Sequence, residues 1–284
     1  HSDSLLTGLP LVGAVSSGPA PARTTRFLLD GRIHTRGAVG VMLGGHLEAT
    51  TLMSPACRPV GPLLTVTDAE GFMLKALAGT PAALRAQEVL AALEEPERSL
   101  ALGGMQLGVA MGSDDPRTGD FVIHEFQAAE GERGALQMGA PIPLGATVQF
   151  HVRDEAAADE DLNVILEGVS ARMGDRLEGA LLFSSTSRGR FMFDNHDHDA
   201  AMANARLLVP VTGFFSDAEF APVRGVCAMN RQTATLLAFG VGARAEAGHT
   251  EAARPQQIAE TDPMTREVHK MLAELSQPPD EGLL

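Results

Sequence analysis

The residues with the clearest chemical potential are carboxylates and imidazoles in a few short stretches. Glu219 lies in LLVPVTGFFSDAEFAPVRG, residues 207–225, where a β-branched apolar run leads into a Phe-Phe pair and a polar turn. Burying a carboxylate in an apolar setting is costly unless it is hydrogen-bonded, paired or facing a pocket. We therefore expect a buried strand that ends in a shaped turn carrying Glu219, with any functional site beside that turn.

Two clusters of charged residues have side chains that could bind a metal ion. The stretch DNHDHD, residues 194–199, places His196 and His198 on a loop, but no third His or Cys is close in sequence. An aspartate before the short helix that follows is an ordinary N-cap. The acidic residues between Asp154 and Asp161 fall in the first turns of another predicted helix, where the helix dipole favours negative charge. We predict neither a metal site nor a cofactor.

The stretch CRPVGP, residues 57–62, carries two prolines and an arginine. The prolines argue against a central strand and predict a rigid loop that aims Arg58. Arg58 could tie this loop to a carboxylate or could bind a ligand. Cys57 is expected to be a small buried side chain, because no His or Cys lies near it at the spacing of metal ligands. Cys57 and Cys227 are the only cysteines, which indicates a reducing compartment.

Strands dominate the elements that must position these residues. Asp30-Gly31 predicts a tight hairpin, and Gly44-Gly45 is expected to join a strand over 37–43 to one over 47–53. The segment 145–154 alternates cleanly, which predicts a strand with one buried face. The following helix carries the apolar stripe Leu162, Ile165, Leu166, Val169 and Met173 and ends at Gly174. Further strands are predicted over 11–16, 26–29, 105–111, 119–126, 134–138, 179–184 and 233–239, and another helix begins at Thr80-Pro81.

Composition excludes several classes of protein. The formal net charge of −14 argues against binding to nucleic acid or to anionic membrane surfaces, which require a basic face. Apolar stretches are interrupted well before the roughly 18 residues that a membrane span needs. Beyond residue 240 the composition predicts a linker, followed by an amphipathic helix that opens at Asp262-Pro263.

Three motifs resemble those of the FIST family (F-box and intracellular signal transduction). They are CRPVGP at 57–62, VQFHVRD at 148–154 and the GFF…E…PV order of 213–223, and the resemblance extends over about residues 11–239. It is closest to cyanobacterial and plastid-lineage members. It implies an α+β fold of largely antiparallel sheets packed together with helices on the outside. It also implies the C-terminal part of a FIST N domain over 1–78, a FIST C domain over 79–239, and a linker with an amphipathic helix over 240–284.

The resemblance also implies a function and a set of site residues. FIST domains are thought to be sensory modules that bind small ligands such as amino acids. The positions that match the family's glycine-rich turns, and are therefore the implied ligand-binding residues, are Arg58, Arg188, Gly189, Gly213, Phe214, Glu219 and Pro222.

Several of those turns depart from the family pattern. Glycines of the family are replaced here by Ser187, Ala218, Ala221 and Arg224, which would fill or reshape a ligand site. We therefore expect a non-catalytic binding or structural subunit of a larger protein assembly, with a degraded pocket.

The alternative is a working sensory domain for an amino acid or organic anion, in which Arg58 and Arg188 bind the anion and Glu219 binds an amine. No catalytic motif is recognisable, so an enzyme is not predicted. The sequence lacks an initiator Met, and we expect it to begin within a longer protein that is cytoplasmic or in the plastid stroma.

Overall fold

The computed structural model describes residues 10–16, 25–112, 116, 120–128, 134–190 and 192–242. Within them the fold is α+β, as predicted, with two large sheets that are mostly antiparallel. The strands are β1 Gly13–Ser16, β2 Phe27–Leu29, β3 Arg32–His34, β4 Leu47–Pro55, β5 Cys57–Glu70, β6 Met73–Leu77, β7 Thr80–Pro81, β8 Met105–Ala110, β9 Phe121–Ala128, β10 Leu136–Met138, β11 Thr147–Arg153, β12 Leu177–Ser185, β13 Val211–Val223, β14 Val226–Asn230 and β15 Thr233–Val241. The helices are α1 Ala82–Ala92, α2 Glu97–Leu102, α3 Glu155–Met173 and α4 His198–Leu207, with short 3-10 turns at Gly174–Arg176 and Thr186–Arg188.

The first sheet has the strand order β1-β13-β12-β15-β4, and β14 pairs with the distal part of β13. Its pairs are antiparallel except for β12 and β13, which are parallel and are connected through α4. The predicted stripe of α3 buries Leu162, Leu166, Val169 and Met173 against this sheet, while Ile165 is only partly buried. The core is completed by apolar residues of β12, β15 and α4.

The second sheet has the order β10-β9-β8-β11-β5-β6-β7 and is antiparallel throughout. Because β10 also pairs with β6, the sheet closes on itself. Its core contains Val60, Leu107, Val148 and Phe150, and α1 contributes Val89. None of the helices in the described part of the chain is long and apolar enough to cross a bilayer.

The chain passes from the first sheet to the second at Ala56, whose N–H donates to Gln232 O at 3.2 Å. It returns at Asp154, whose N–H donates to Ala56 O at 3.2 Å. Strands from both sides of residue 80 therefore join each of the large sheets. The domain boundaries drawn from the sequence stay a prediction.

The hairpin at Asp30-Gly31 is confirmed, with φ of 51° and 72° at its two turn residues. The hairpin across Gly44-Gly45 is wrong: residues 38–44 form no strand, and β4 pairs with β15 instead. The apolar side chains of this segment, among them Val39, Val41 and Leu43, are exposed and do not pack on a sheet. The linker predicted from residue 240 starts two residues too early, because Gly240 and Val241 belong to β15. The rest of that linker beyond residue 242 and the amphipathic helix lie outside the described residues.

The loop predicted for CRPVGP is also wrong, because these residues begin β5. Over this half of β5 the pairing partner is β11, while β6 pairs only from Val66 onward. At Pro59 and Pro62, one edge of β5 is therefore not paired with β6. A sheet tolerates proline at such an edge, because proline has no N–H group to donate. Gly61, with φ of 68°, lies against the side chain of Val89 on α1.

Two further expectations need correction. Glu219 lies inside β13 and not on a turn, since the strand continues to Val223 and the turn follows at Arg224-Gly225. In β11 the face opposite Val148, Phe150 and Val152 is not fully exposed, because His151 is only 1% exposed. Its ring packs edge-on against Phe121 at a centroid distance of 5.0 Å.

Candidate functional site

A solvent-facing cavity of about 320 Å³ lies between α4 and the parallel strands β12 and β13. The strand β12 contributes Leu182 and Ser184, and β13 contributes residues 211–215. The helix α4 contributes Asp199, Ala200 and Asn204. Phe214 and Phe215 remain 48% and 40% exposed, so the cavity combines an open aromatic mouth with polar groups at its base.

The local sequence explains why a cavity forms here. Parallel strands need a crossover connection, and α4 provides it by packing Ala203 and Leu207 onto the sheet. Gly213 pairs with Leu182, and a Cβ at position 213 would overlap the carbonyl oxygen of Leu182. The close approach of the two strands therefore requires glycine, and it leaves a space on the surface of β13 without a side chain.

Asp199 lies at the base of the cavity and forms an ion pair with Arg188. The two residues are 4% and 1% exposed. Arg188 Nε donates to Asp199 Oδ2 at 2.8 Å, and its Nη2 donates to Oδ1 at 3.0 Å. Ser184 Oγ donates to Oδ2 at 2.6 Å. His198 Nδ1 lies 3.1 Å from Oδ1. These contacts fix the carboxylate in one orientation.

The same contacts control the charge of the site. Burial acts to raise the pKa of Asp199, but the hydrogen bonds and charge of Arg188 lower it below the ordinary value. His198 also lies 2.8 Å from Asp159 Oδ1 and stacks on Phe193 with ring centroids 3.7 Å apart. Asp199 is thus held as an ionised carboxylate whose acceptor positions are largely occupied.

Glu219 forms a second polar cluster deeper in the first sheet. It accepts hydrogen bonds from Ser216 Oγ at 2.5 Å and Thr233 Oγ1 at 2.6 Å. Burial raises the pKa of Glu219, and these two hydrogen bonds oppose the rise. Ser216 Oγ is also 3.3 Å from Ser184 O, so the two clusters adjoin, but Glu219 does not line the cavity.

The structure brings some of the predicted site residues together and separates others. Gly213 and Phe214 line the cavity, and Arg188 supports it through Asp199. Gly189 does not line the cavity, but a Cβ at this position would lie 3.6 Å from the ring of Phe215, which does. Pro222 is at the far end of β13, paired with Cys227.

Arg58 lies on β5 in the second sheet, where its Nε is 2.9 Å from Asp154 Oδ2. Of the two readings of Arg58, the tie to a carboxylate is therefore confirmed. Asp154, expected from the sequence in the first turns of α3, is instead its N-cap and accepts from Ala156 N and Ala157 N. Arg224, which replaces a family glycine, donates two hydrogen bonds of 2.6 Å to Asp120 at the start of β9.

The two cysteines and the possible metal ligands are the remaining candidates for chemistry. Cys57 is buried as predicted, and burial, aided by Asp161, raises the pKa of its thiol to about 12, which makes it a poor nucleophile. Neither Cys57 nor Cys227 forms a disulfide. Across the described ranges, no group of three or more His, Cys, Asp or Glu side chains is arranged to hold a metal ion.

Sequence reasoning missed Asp199, Ser184 and Asn204 as lining residues. The sequence favours an aspartate of DNHDHD as an N-cap, and Asp197 occupies that position, although without a side-chain capping bond. Asp199 instead pairs with Arg188, eleven residues earlier. The signal that could have revealed it is an arginine in an otherwise apolar and serine-rich turn, which requires a nearby carboxylate when buried.

Comparison with known protein families identifies two domains in this chain. The FIST N domain matches residues 2–80 and the FIST C domain matches residues 82–222. An uncharacterized protein of Mycobacterium bovis is 37% identical over 242 residues, which are 84% of this chain and 62% of that protein. An uncharacterized protein of Mycobacterium tuberculosis is also 37% identical, over 84% of this chain and 63% of its own length.

The chain thus spans less than two thirds of the length of these curated relatives. Both relatives are mycobacterial, so the comparisons do not support the resemblance to cyanobacterial and plastid-lineage members. No solved structure matches the chain.

Proposed function

Because the chain belongs to the FIST family, whose domains are sensory domains of signal transduction, we propose that it is a non-catalytic ligand-binding domain. We place its binding site in the cavity between α4, β12 and β13. The observation that carries this proposal is the cavity itself, which has about 320 Å³ of space beside Gly213 and Phe214. This volume is at the small end of the range for ligand sites. The degraded pocket expected from the sequence is not confirmed.

The lining of the cavity favours one kind of ligand. Phe214, Phe215 and Leu182 offer apolar contact area. Ser184 uses its proton on Asp199 and so presents an oxygen that can accept a hydrogen bond. Asn204 uses one amide N–H on Ala200 O and keeps its carbonyl oxygen as an acceptor and its second N–H as a donor. We therefore propose a small ligand with an apolar body and hydrogen-bond donors.

An anionic ligand is less well supported than a donor-bearing one. The two arginines expected to bind an anion are each paired with a carboxylate, Arg188 with Asp199 and Arg58 with Asp154. An anion would have to compete with these pairs, and near Arg188 it would approach the ionised Asp199. Glu219, expected to bind an amine, is held by Ser216 and Thr233 away from the cavity.

The absence of catalysis is part of the proposal and is supported by how the polar groups are connected. Ser184, Asp199 and His198 include the residue types of a hydrolytic triad, but the carboxylate lies between the hydroxyl and the imidazole. A nucleophilic serine requires the base to accept its proton directly. Here the acceptor is Asp199, whose lowered pKa makes it a weak base.

The proposal is tested by thermal-shift titration with a panel of fragments that carry an apolar ring or chain and an amine, amide or hydroxyl group. A fragment present at 100 times its dissociation constant should add about 2.7 kcal/mol to the free energy of unfolding. Ala200→Trp should abolish the shift, because the indole would occupy the cavity. Ala201→Trp is the matched control, since Ala201 is an exposed alanine of α4 that does not line the cavity. No response across the panel, or equal effects of the two variants, would contradict the proposal.

A second candidate function is a subunit of a larger protein assembly. It is favoured by exposed apolar side chains on and after the β2–β3 hairpin, where Leu28, Ile33 and Val41 are 71%, 66% and 83% exposed. Leu28 and Ile33 are neighbours across the hairpin, and exposed apolar side chains that lie together are typical of protein interfaces. If the chain self-associates through this surface, sedimentation velocity should show species above 29.8 kDa that Leu28→Lys/Ile33→Lys removes. A single monomeric species at every concentration would count against self-association.

An intracellular location is likewise a proposal. It is supported by the two cysteines, neither of which forms a disulfide. Location in the plastid stroma has no support from the mycobacterial relatives. Fractionation of cells that express the natural protein would test it, and recovery in the culture medium would contradict it.

A further inference from the structure

The wall of the cavity that β13 forms has a gap at Gly213. Val211 and Phe215 lie two residues away on either side and share a face of the strand with Gly213, because side chains alternate between the faces. A Cβ at position 213 would overlap the carbonyl oxygen of Leu182, so no side chain can fill the position between them. A ligand placed there would contact main-chain atoms directly.

The dimensions of this gap fit a single ring. Val211 and Phe215 are four residues apart, so their Cα atoms are separated by about 13 Å of strand, with about 7 Å on each side of Gly213. A cavity of about 150 Å³ is large enough for benzene. The cavity here has about 320 Å³ and therefore has room for one six-membered ring with a short chain.

Aromatic side chains border the gap. Phe215 is 40% exposed and lines the cavity on the same face as Gly213. Phe214 also lines the cavity, and its ring packs edge-on against Phe183 with ring centroids 5.3 Å apart. Aromatic pairs attract each other beyond the area that they bury, and they do so in offset or edge-on arrangements. These surroundings favour a planar aromatic ring over a saturated ring of the same size.

A hydrogen-bond acceptor lies a short distance from the gap. Leu182 is opposite Gly213, and Ser184 follows on the same face of β12, with a Cα–Cα distance of about 7 Å between Leu182 and Ser184. Ser184 Oγ donates its proton to Asp199 and can accept another hydrogen bond. A short chain on a ring over Gly213 can therefore carry a donor group to Ser184.

We propose, on the basis of the ligand-binding function above, that the natural ligand is a small arylalkyl amine or arylalkyl alcohol. Its aromatic ring lies over Gly213 against Phe215, and its chain ends in a group that donates to Ser184 Oγ. The ring provides selectivity, and the donor fixes the orientation of the ligand. The proposed function requires only an apolar body with a donor, so a saturated ligand would satisfy that function but not this inference.

Two matched pairs of compounds test the ring. They are 2-phenylethylamine with 2-cyclohexylethylamine, and 2-phenylethanol with 2-cyclohexylethanol. Within each pair the chain and donor are the same, and the saturated ring buries at least as much apolar surface, so hydrophobic burial alone does not favour the aromatic member. We expect the aromatic member of at least one pair to bind at least about fivefold more tightly in NMR titrations of the full 284-residue chain. The pair that binds identifies the donor as an amine or an alcohol.

A leucine substitution locates the origin of this preference. Phe215→Leu should reduce the preference for the aromatic member to below about twofold, because it removes the ring against which the ligand packs. Phe72→Leu is the matched control and should leave the preference unchanged. Phe72 is 54% exposed, lies between β5 and β6 in the second sheet and does not line the cavity.

Several results would overturn the inference. They are equal affinities within both pairs, tighter binding of the saturated members, no binding of any of the four compounds, and a preference that survives Phe215→Leu or is lost in Phe72→Leu. If Phe215→Leu fails to fold, the comparison within the pairs on the wild-type chain decides the question. Saturated compounds that bind as tightly as the aromatic ones, and lose binding in Ala200→Trp, would remove the aromatic ring and leave the proposed function standing.

Discussion

Removing one or the other member of the buried pair of Arg188 and Asp199 should destabilise the protein to different extents. Asp199→Asn removes the negative charge but leaves the guanidinium of Arg188 buried, and a guanidinium does not lose its proton at any ordinary pH. Leaving one member of a buried ion pair uncompensated typically costs about 3–5 kcal/mol. We expect Asp199→Asn to lose that amount at pH 7. The reciprocal change, Arg188→Met, leaves a carboxyl group, which can become neutral by taking up a proton.

The pH dependence of the two variants follows from the direction of the pKa shift. In the wild type the pKa of Asp199 is lowered, so the pair stabilises the protein above the ordinary value of 3.8, and this stabilisation is lost as pH falls through the lowered pKa. In Arg188→Met the lowering by Arg188 is removed, and we expect burial, the largest contribution, to raise the pKa of Asp199 against the remaining hydrogen bonds of Ser184 and His198. The folded variant then takes up a proton more readily than its unfolded chain, so its deficit should shrink as pH falls from 7 towards 4.5.

Urea unfolding at pH 7 and pH 4.5 measures both effects, with Arg188→Met/Asp199→Leu as the reference that removes both charges. The double variant should be more stable than Asp199→Asn at pH 7, because no charge is left buried. A loss below about 1 kcal/mol for Asp199→Asn, or a deficit of Arg188→Met that does not change with pH, would show that the two charges do not depend on each other in the folded protein.

Three other predictions concern groups around the site. Burial lowers the pKa of His151 from 6.5 to about 4. Its neutral form should therefore contribute about 3 kcal/mol to the free energy of unfolding, which is present above pH 6.5 and is lost as pH falls to 4. His151→Gln should flatten this pH dependence in unfolding experiments at several pH values. Burial raises the pKa of Glu219 above 4.5, so the wild type should lose stability relative to Glu219→Gln as pH rises above 4.5, and parallel stability curves for the two proteins would contradict this. Asp154→Ala should lower the free energy of unfolding by about 1–2 kcal/mol, because it removes both the α3 cap and the pair with Arg58. Asp154→Asn keeps the cap and should cost less than about 1 kcal/mol. Equal losses of the two variants in urea unfolding would show that the cap is not the main contribution.

Features that depend on local periodicity or turn chemistry could be predicted from the sequence. The stripe of α3, the acidic residues at its start and the Asp30-Gly31 hairpin are specified by residues a few positions apart, and all three are present. The resemblance placed Gly213 and Phe214 at a site, and both line the cavity.

Features that depend on which strands become neighbours could not be predicted in this way. CRPVGP forms a strand because only β11 pairs with it there, and the sequence does not display that one-sided pairing. β4 pairs with β15, about 190 residues away, and not with the nearby glycine-rich segment. Asp199 could be read either as a cap or as a salt-bridge partner, and only the packing of α4 against β12 distinguishes the two.

The placement of the binding site between α4, β12 and β13 is best tested by hydrogen exchange, measured by mass spectrometry in the presence of the tightest-binding fragment of the thermal-shift panel. We expect slower exchange in two segments, 211–215 of β13 and 199–204 of α4, with little change in the second sheet. Protection centred elsewhere, for example around Arg58 on β5, or no protection by a ligand that demonstrably binds, would contradict the placement of the site.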